Sequence, residues 1–207
     1  MNPLDTALQF LSGEMTVKVF ENALYHDKDL EAFFRDPSIN WHDTYVAHSG
    51  NIYDFLILQN FSRLGDIYNV FGAVELFLEK KGITYITISK KYSDLYDLML
   101  DSQPRYIDAD IDINSEFFLK HISPIVNGNL TKTEKKKQIR EKYKTLFQYQ
   151  SKPPKWIQGA EWIVKDGVPL FFVEQKKLKG KDYHDDGAVY IFRDTKTGEI
   201  ETIEQFY

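Results

Sequence analysis

Carboxylates at alternate positions are the closest this sequence comes to a metal site. Asp108, Asp110 and Asp112 follow the every-second-residue oxygen spacing that opens a calcium loop. The rest of such a loop is missing, because Ile113 stands where glycine is needed and Leu119 where a bidentate glutamate is needed. An extended segment with its acidic side in water has the same pattern. A second cluster, His184-Asp185-Asp186, places an imidazole beside two carboxylates. That grouping suits a metal ion or a general base, and it equally suits a solvated turn in a glycine- and lysine-rich loop. His42, Asp43 and His48 share a polar stretch, but their irregular spacing specifies no ligand geometry. No Gly-x-Ser-x-Gly elbow, His-Glu-x-x-His pair or glycine-rich phosphate loop occurs, and there is no cysteine. Thiolate catalysis and cysteine-ligated metals are thereby excluded, and a reducing cytoplasm is the expected compartment. Nothing nominates a nucleophile or a cofactor, so the expected class is a binding protein and not an enzyme.

Two further groups bear on binding. Between Lys132 and Lys144 lie Lys135, Lys136, Lys137, Arg140 and Lys142, interleaved with Glu134 and Glu141. On a helix these positions spread around the circumference, which is the pattern of a solvated helix and not of a nucleic-acid stripe. Trp156 and Trp162, with Gln158 and Gln175 nearby, are either anchors for a partner or plugs for the open end of a small sheet. Charge is uneven. Residues 1–130 hold 10 Lys/Arg against 19 Asp/Glu, whereas residues 131–207 hold 16 against 12. An acidic first part suits a basic partner. The candidate partner-binding residues are therefore Asp43, Asp108, Asp110, Asp112, Trp156 and Trp162.

The elements that must position these residues change character along the chain. Leu4, Ala7, Leu8 and Leu11 repeat at helical spacing and stop at Ser12-Gly13. Thr16 caps a second helix bearing Val17, Phe20, Ala23 and Leu24, and a short third covers Leu30–Phe34. Two longer helices are expected over Ile52–Leu64 and Ile67–Leu78, broken at Gly65-Asp66, with Lys80-Lys81-Gly82 closing the second. Ile83–Ile88 reads as a strand or connector, and helices follow from Lys91 to Leu100 and from Glu116 to Val126. Thr131 and Glu134 form a capping box for the basic helix. After Pro153-Pro154 the period becomes two, predicting strands at 161–165, 168–175, 188–193 and 199–206 in two hairpins. The expected fold class is α+β, a helical N-terminal part followed by an antiparallel sheet of about four strands. Its expected parts are an acidic helical domain at 1–128, a connecting helix at 129–152 and a β module at 153–207. No apolar run approaches bilayer length and no leader pattern opens the chain, so no membrane partner is expected.

The β module has a recurring rhythm: Pro-Pro-Lys-Trp-Ile-Gln, Glu-Trp, Gly-Val-Pro-Leu-Phe-Phe-Val-Glu-Gln, Ala-Val-Tyr-Ile-Phe-Arg-Asp and Thr-Gly-Glu-Ile-Glu-Thr-Ile-Glu-Gln. It resembles the module of small bacterial proteins similar to the YwqG family, including stand-alone proteins found beside polymorphic toxins. The N-terminal Leu-Gln-Phe-Leu-Ser-Gly-Glu-Met-Thr-Val-Lys-Val-Phe-Glu is similar to the opening of helical bacterial immunity proteins. The resemblance implies a cytoplasmic protein that neutralises a toxin by capping it, with an acidic face toward a basic toxin domain. It assigns no role to any single residue. A regulatory or scaffolding module, and a metal-dependent hydrolase using His184, Asp185 or Asp186, are the other readings.

Overall fold

The structure is a computed structural model, and it describes residues 2–85, 89–107, 111–179 and 185–207. The fold is α+β, with helices followed by a C-terminal antiparallel sheet. The chain divides into two compact units, Met1–Tyr96 and Asp97–Tyr207.

Unit 1 is helical. Helix α1 (Pro3–Ser12) starts where the Asn2 side chain accepts from the Leu4 N–H and proline occupies the first turn. It ends at Gly13, whose φ of 81° suits the left-handed cap. A Cβ there would also lie 2.9 Å from Ser89, whose N–H bonds the Leu11 carbonyl at 2.7 Å, so glycine is required twice over. Thr16 and Asp27 cap α2 (Val17–His26) and α3 (Lys28–Phe34). Their apolar stripes meet α5 (Leu64–Lys80) in an aromatic core, with Phe10 stacked on Phe20 at 3.9 Å and Phe34 edge-on to Phe77 at 5.0 Å. Helix α4 (Ile52–Ile57) is shorter than its pattern predicts. The break falls at 58–63 and not at Gly65-Asp66. Asn60 makes a local turn with Ser62 and donates its own N–H to the Asp66 carboxylate at 3.0 Å. Asp66 thus belongs to the first turn of α5, where a negative charge suits the helix dipole.

The division between units falls inside α6 (Lys91–Ser102). The sequence places a boundary at Asn127-Gly128-Asn129, but residues 97–128 share their unit with the basic helix and the sheet. The reason is a set of bonds onto α8 (Lys132–Leu146). Gln103 donates to the Tyr143 hydroxyl at 2.9 Å, Arg140 donates to the Asp101 carbonyl at 2.7 Å, and Lys136 pairs with the Asp101 carboxylate. Residues 116–126 are helical, with a π-helical turn at Phe118–Ile122 running into α7 (Ser123–Val126). The Thr131–Glu134 capping box opens α8 as expected.

The sheet differs from two plain hairpins. β1 (Val164–Lys165) and β2 (Val168–Pro169) form a two-residue ribbon across the Asp166-Gly167 turn. β3 (Phe171–Leu178), β4 (Gly187–Arg193) and β5 (Ile200–Phe206) form a separate antiparallel sheet in the order β3-β4-β5. The run 168–175 splits because Trp162 turns its indole N–H onto the Leu170 carbonyl, while Phe172 bonds Gln148 and Gln150 from the segment after α8. Pairing with residues 161–163 therefore gives way to pairing with β4. Leu170, Phe172, Ala188, Tyr190 and Phe192 make the module's core.

Candidate functional site

The aspartate and histidine candidates are not assembled into a site. Asp43 is exposed in the loop between α3 and α4. Asp108 and Asp110 lie outside the described residues, as does His184. Asp112 serves a turn, its carboxylate accepting from the Asn114 N–H at 2.7 Å and its carbonyl from Ser115. Asp186 lies 3.6 Å from Lys179, and its carbonyl accepts from the Tyr207 N–H. Among the described residues, no three His, Asp or Glu side chains converge as metal ligands.

The tryptophans are built into the module. Trp156 donates its indole N–H to the Tyr106 carbonyl at 2.9 Å and lies 4.4 Å from the Tyr190 ring. Trp162 donates to Leu170 at 2.8 Å and packs against Phe147, Phe172 and Phe192. Both are partly buried against the core, which is the sheet-plugging arrangement. Gln205 completes it. Buried at 2% exposure, its side-chain oxygen accepts the N–H groups of Ile157 and Gln158, and its amide donates to the Gly159 carbonyl.

A different face gathers binding chemistry in unit 1. Tyr68, Gly72, Glu75 and Glu79 fall at helical spacing along the side of α5 away from its buried residues. Tyr45 reaches across Gly72, where a Cβ would sit 3.5 Å from its hydroxyl, and meets Phe55 edge-on at 5.5 Å. Tyr68 stacks on Tyr96 of α6 at 5.0 Å. Tyr45 is 53% exposed and Tyr68 44%, so much of each ring faces outward. Burial raises the Glu75 carboxyl above the ordinary range, and the nearby Glu79 charge pushes the same way. Burial also raises the Tyr45 and Tyr85 phenols, helped by the negative charge of Glu75. Tyr85 hydrogen-bonds Glu79.

Charge pairing elsewhere in the unit sets Glu75 apart. Arg35 bonds both Glu31 and Asp54 at 2.8 Å, and Lys81 pairs with Asp36. Among the described residues, no cation pairs with Glu75. The sequence signal for this face was the spacing Tyr68-x3-Gly72-x2-Glu75-x3-Glu79, which interrupts the apolar stripe of α5 on one side only. Acidity also localises to unit 1, where 8 Lys/Arg face 13 Asp/Glu, whereas unit 2 holds 18 of each.

Unit 2 has a concave site of its own. A groove of about 650 Å³ runs along α8, lined by His121 and Ile125 on one side and by Lys137, Glu141, Lys142 and Leu146 on the other. No helix among the described residues is long and apolar enough to cross a membrane. No family model, curated protein or solved structure matches the chain.

Proposed function

We propose that the chain is a non-enzymatic protein-binding protein of the immunity type, acting in the cytoplasm to neutralise a bacterial toxin by direct binding. The proposed contact is the face formed by Tyr45, Tyr68, Tyr96, Glu75 and Glu79, which receives a basic patch of the toxin. One observation supports this reading above the others. Glu75 is a half-buried carboxylate with no cation among the described residues, set beside tyrosines in a unit where Glu31, Asp54 and Asp36 each have one. Holding a carboxylate in that state costs stability, and an arriving arginine or lysine removes the cost. Tyrosine supplies rigid contact area and a π face for the same cation, and it is enriched at interface centres.

The test is co-expression with the toxin domain encoded beside this reading frame in its native genome. The wild-type chain restores growth and co-purifies with the toxin. Glu75→Lys combined with Tyr68→Ala weakens binding by about 2–4 kcal/mol, the scale of hot-spot losses, and abolishes rescue. A double variant that protects as well as wild type removes this face from the proposal. Capture of a non-toxic cellular protein with the same sensitivity to the double variant keeps the face and replaces immunity with a regulatory role.

A further inference from the structure

From the open edge of β5 we infer that unit 2 binds a second copy of this chain. The two β5 strands pair antiparallel about a two-fold axis at Thr202, joining both three-stranded sheets into one. The alternation of backbone bonds defines the edge. At one end of β5 the Asp194 N–H donates to the Glu199 carbonyl at 2.9 Å, and at the other the Tyr207 N–H donates to the Asp186 carbonyl at 3.1 Å. Between these ends the β4–β5 register runs without a shift. Odd-numbered residues of β5 therefore turn their backbone groups to β4, and Ile200, Thr202, Glu204 and Phe206 turn theirs outward. Gln158 donates to the Phe206 carbonyl at 2.8 Å. No backbone bond among the described residues reaches the outward groups of Ile200, Thr202 and Glu204, and all three side chains are exposed, Ile200 at 57%. The opposite edge of the sheet is not equivalent, because Phe172 of β3 already bonds Gln148 and Gln150. A row of unpaired strand groups is a template for another strand.

The order of residues along this edge fits it to itself. The open positions are symmetric about Thr202, so a single dyad pairs them all. Thr202 faces the partner's Thr202, Ile200 faces the partner's Glu204, and each pair exchanges both backbone bonds. A threonine pair is among the favourable cross-strand matches, whereas like charges face to face are unfavourable. Glu199, Glu201 and Glu204 make this edge acidic, yet the register sets none of them opposite another. Glu201 faces the partner's Ile203, and its charge is already paired with Lys165. Glu204 lies beside the partner's Ile200 and one strand away from the partner's Arg193, an opposite charge on the same face of the joined sheet. Neighbouring registers lose these matches. With the axis one residue earlier, Glu201 opposes the partner's Glu201. With the axis one residue later, Ile200 meets the partner's Phe206, whose carbonyl Gln158 occupies. The contact uses the same surface on both copies, so it closes at two.

The test is analytical ultracentrifugation of the whole chain from about 1 to 300 µM, the range in which a modest interface forms and dissociates. A reversible monomer–dimer equilibrium with no larger species is expected. Thr202→Pro removes an N–H that no bond inside the chain uses, a change that edge strands accept, and it should leave a folded monomer at every concentration. Thr202→Lys keeps the strand and sets like charges face to face, so dimerisation should weaken about fivefold at low salt and recover at about 0.5 M salt. If Thr202→Pro does not fold, Thr202→Lys decides. Because the chain has no cysteine, single cysteines report the register. A short bis-maleimide linker should join the copies of Thr202→Cys and leave those of Lys196→Cys unjoined. A wild-type chain that is monomeric throughout, a dimer that a folded Thr202→Pro variant still forms, a dimer that Thr202→Lys leaves unchanged, or equal cross-linking at the two positions would each overturn the pairing.

Discussion

At Glu75 the carboxylate is more costly to ionise in the folded chain than in water, because burial and Glu79 both disfavour its charge. The sign of the consequence follows from linkage. A carboxyl group whose folded pKa is raised lends stability only while it is protonated, and that stability is lost as pH rises through the folded pKa. Replacing Glu75 with Gln should therefore raise the thermal midpoint at pH 7, with the gain shrinking toward zero near pH 4. Thermal melts of the two proteins across that range are the measurement. A gain in stability joined to a loss of toxin binding would mark Glu75 as kept for recognition. Arg35 provides the contrast, because its pairing with Asp54 and Glu31 lowers the Asp54 carboxyl and leaves no charge there for a partner to neutralise.

Elements in this fold are joined by a few polar side chains that apolar periodicity does not reveal. Gln205 on β5 holds the Ile157–Gly159 segment, and the Tyr190 hydroxyl donates to the Lys155 carbonyl at 3.0 Å. That segment carries Trp156 across the core of the module. Gln205→Leu leaves two backbone N–H groups with poorer partners and should cost about 1–3 kcal/mol. Chemical denaturation checks the loss, and Gln205→Glu should recover part of it because the accepting oxygen remains. Gly187 is equally constrained, since a Cβ there would lie 2.7 Å from both the Gln205 carbonyl and the Phe206 ring. The strands predicted at 188–193 and 199–206 pair in register from Gly187 with Phe206 to Arg193 with Ile200.

Across the whole molecule the charge asymmetry belongs to one unit. Unit 1 carries five more acidic than basic residues and unit 2 is balanced, so the helical unit is the part that would steer the proposed basic partner. The association rate with a basic toxin domain should fall steeply as salt rises from about 0.01 to 0.15 M, where the screening length shrinks from roughly 30 to 8 Å. The dissociation rate should change much less. Stopped-flow kinetics over that range check this, and a salt-independent association rate would remove the steering role of unit 1.

Most helices, their caps and the β4–β5 hairpin were legible in the sequence, because they rest on local chemistry. Thr16 caps α2 through a bond spanning three residues. Thr131 and Glu134 do the same for α8, and Gly13 supplies the left-handed turn after α1. What the sequence left open rests on contacts between distant positions. The end of α4 depends on Asp66 reaching back to Asn60, and the splitting of the strand run at 168–175 depends on Trp162 and on the Gln148–Gln150 segment. The same holds for the binding chemistry. Trp156 and Trp162 read equally well as anchors or plugs until their indole N–H groups found Tyr106 and Leu170. The sequence by itself determined an α+β chain through its change of apolar period, without cysteine chemistry and with an acidic first part. Only the tertiary structure gathered Tyr45, Tyr96 and the α5 residues Tyr68 and Glu75 onto one face, because burial and ring contacts are properties of neighbours in space.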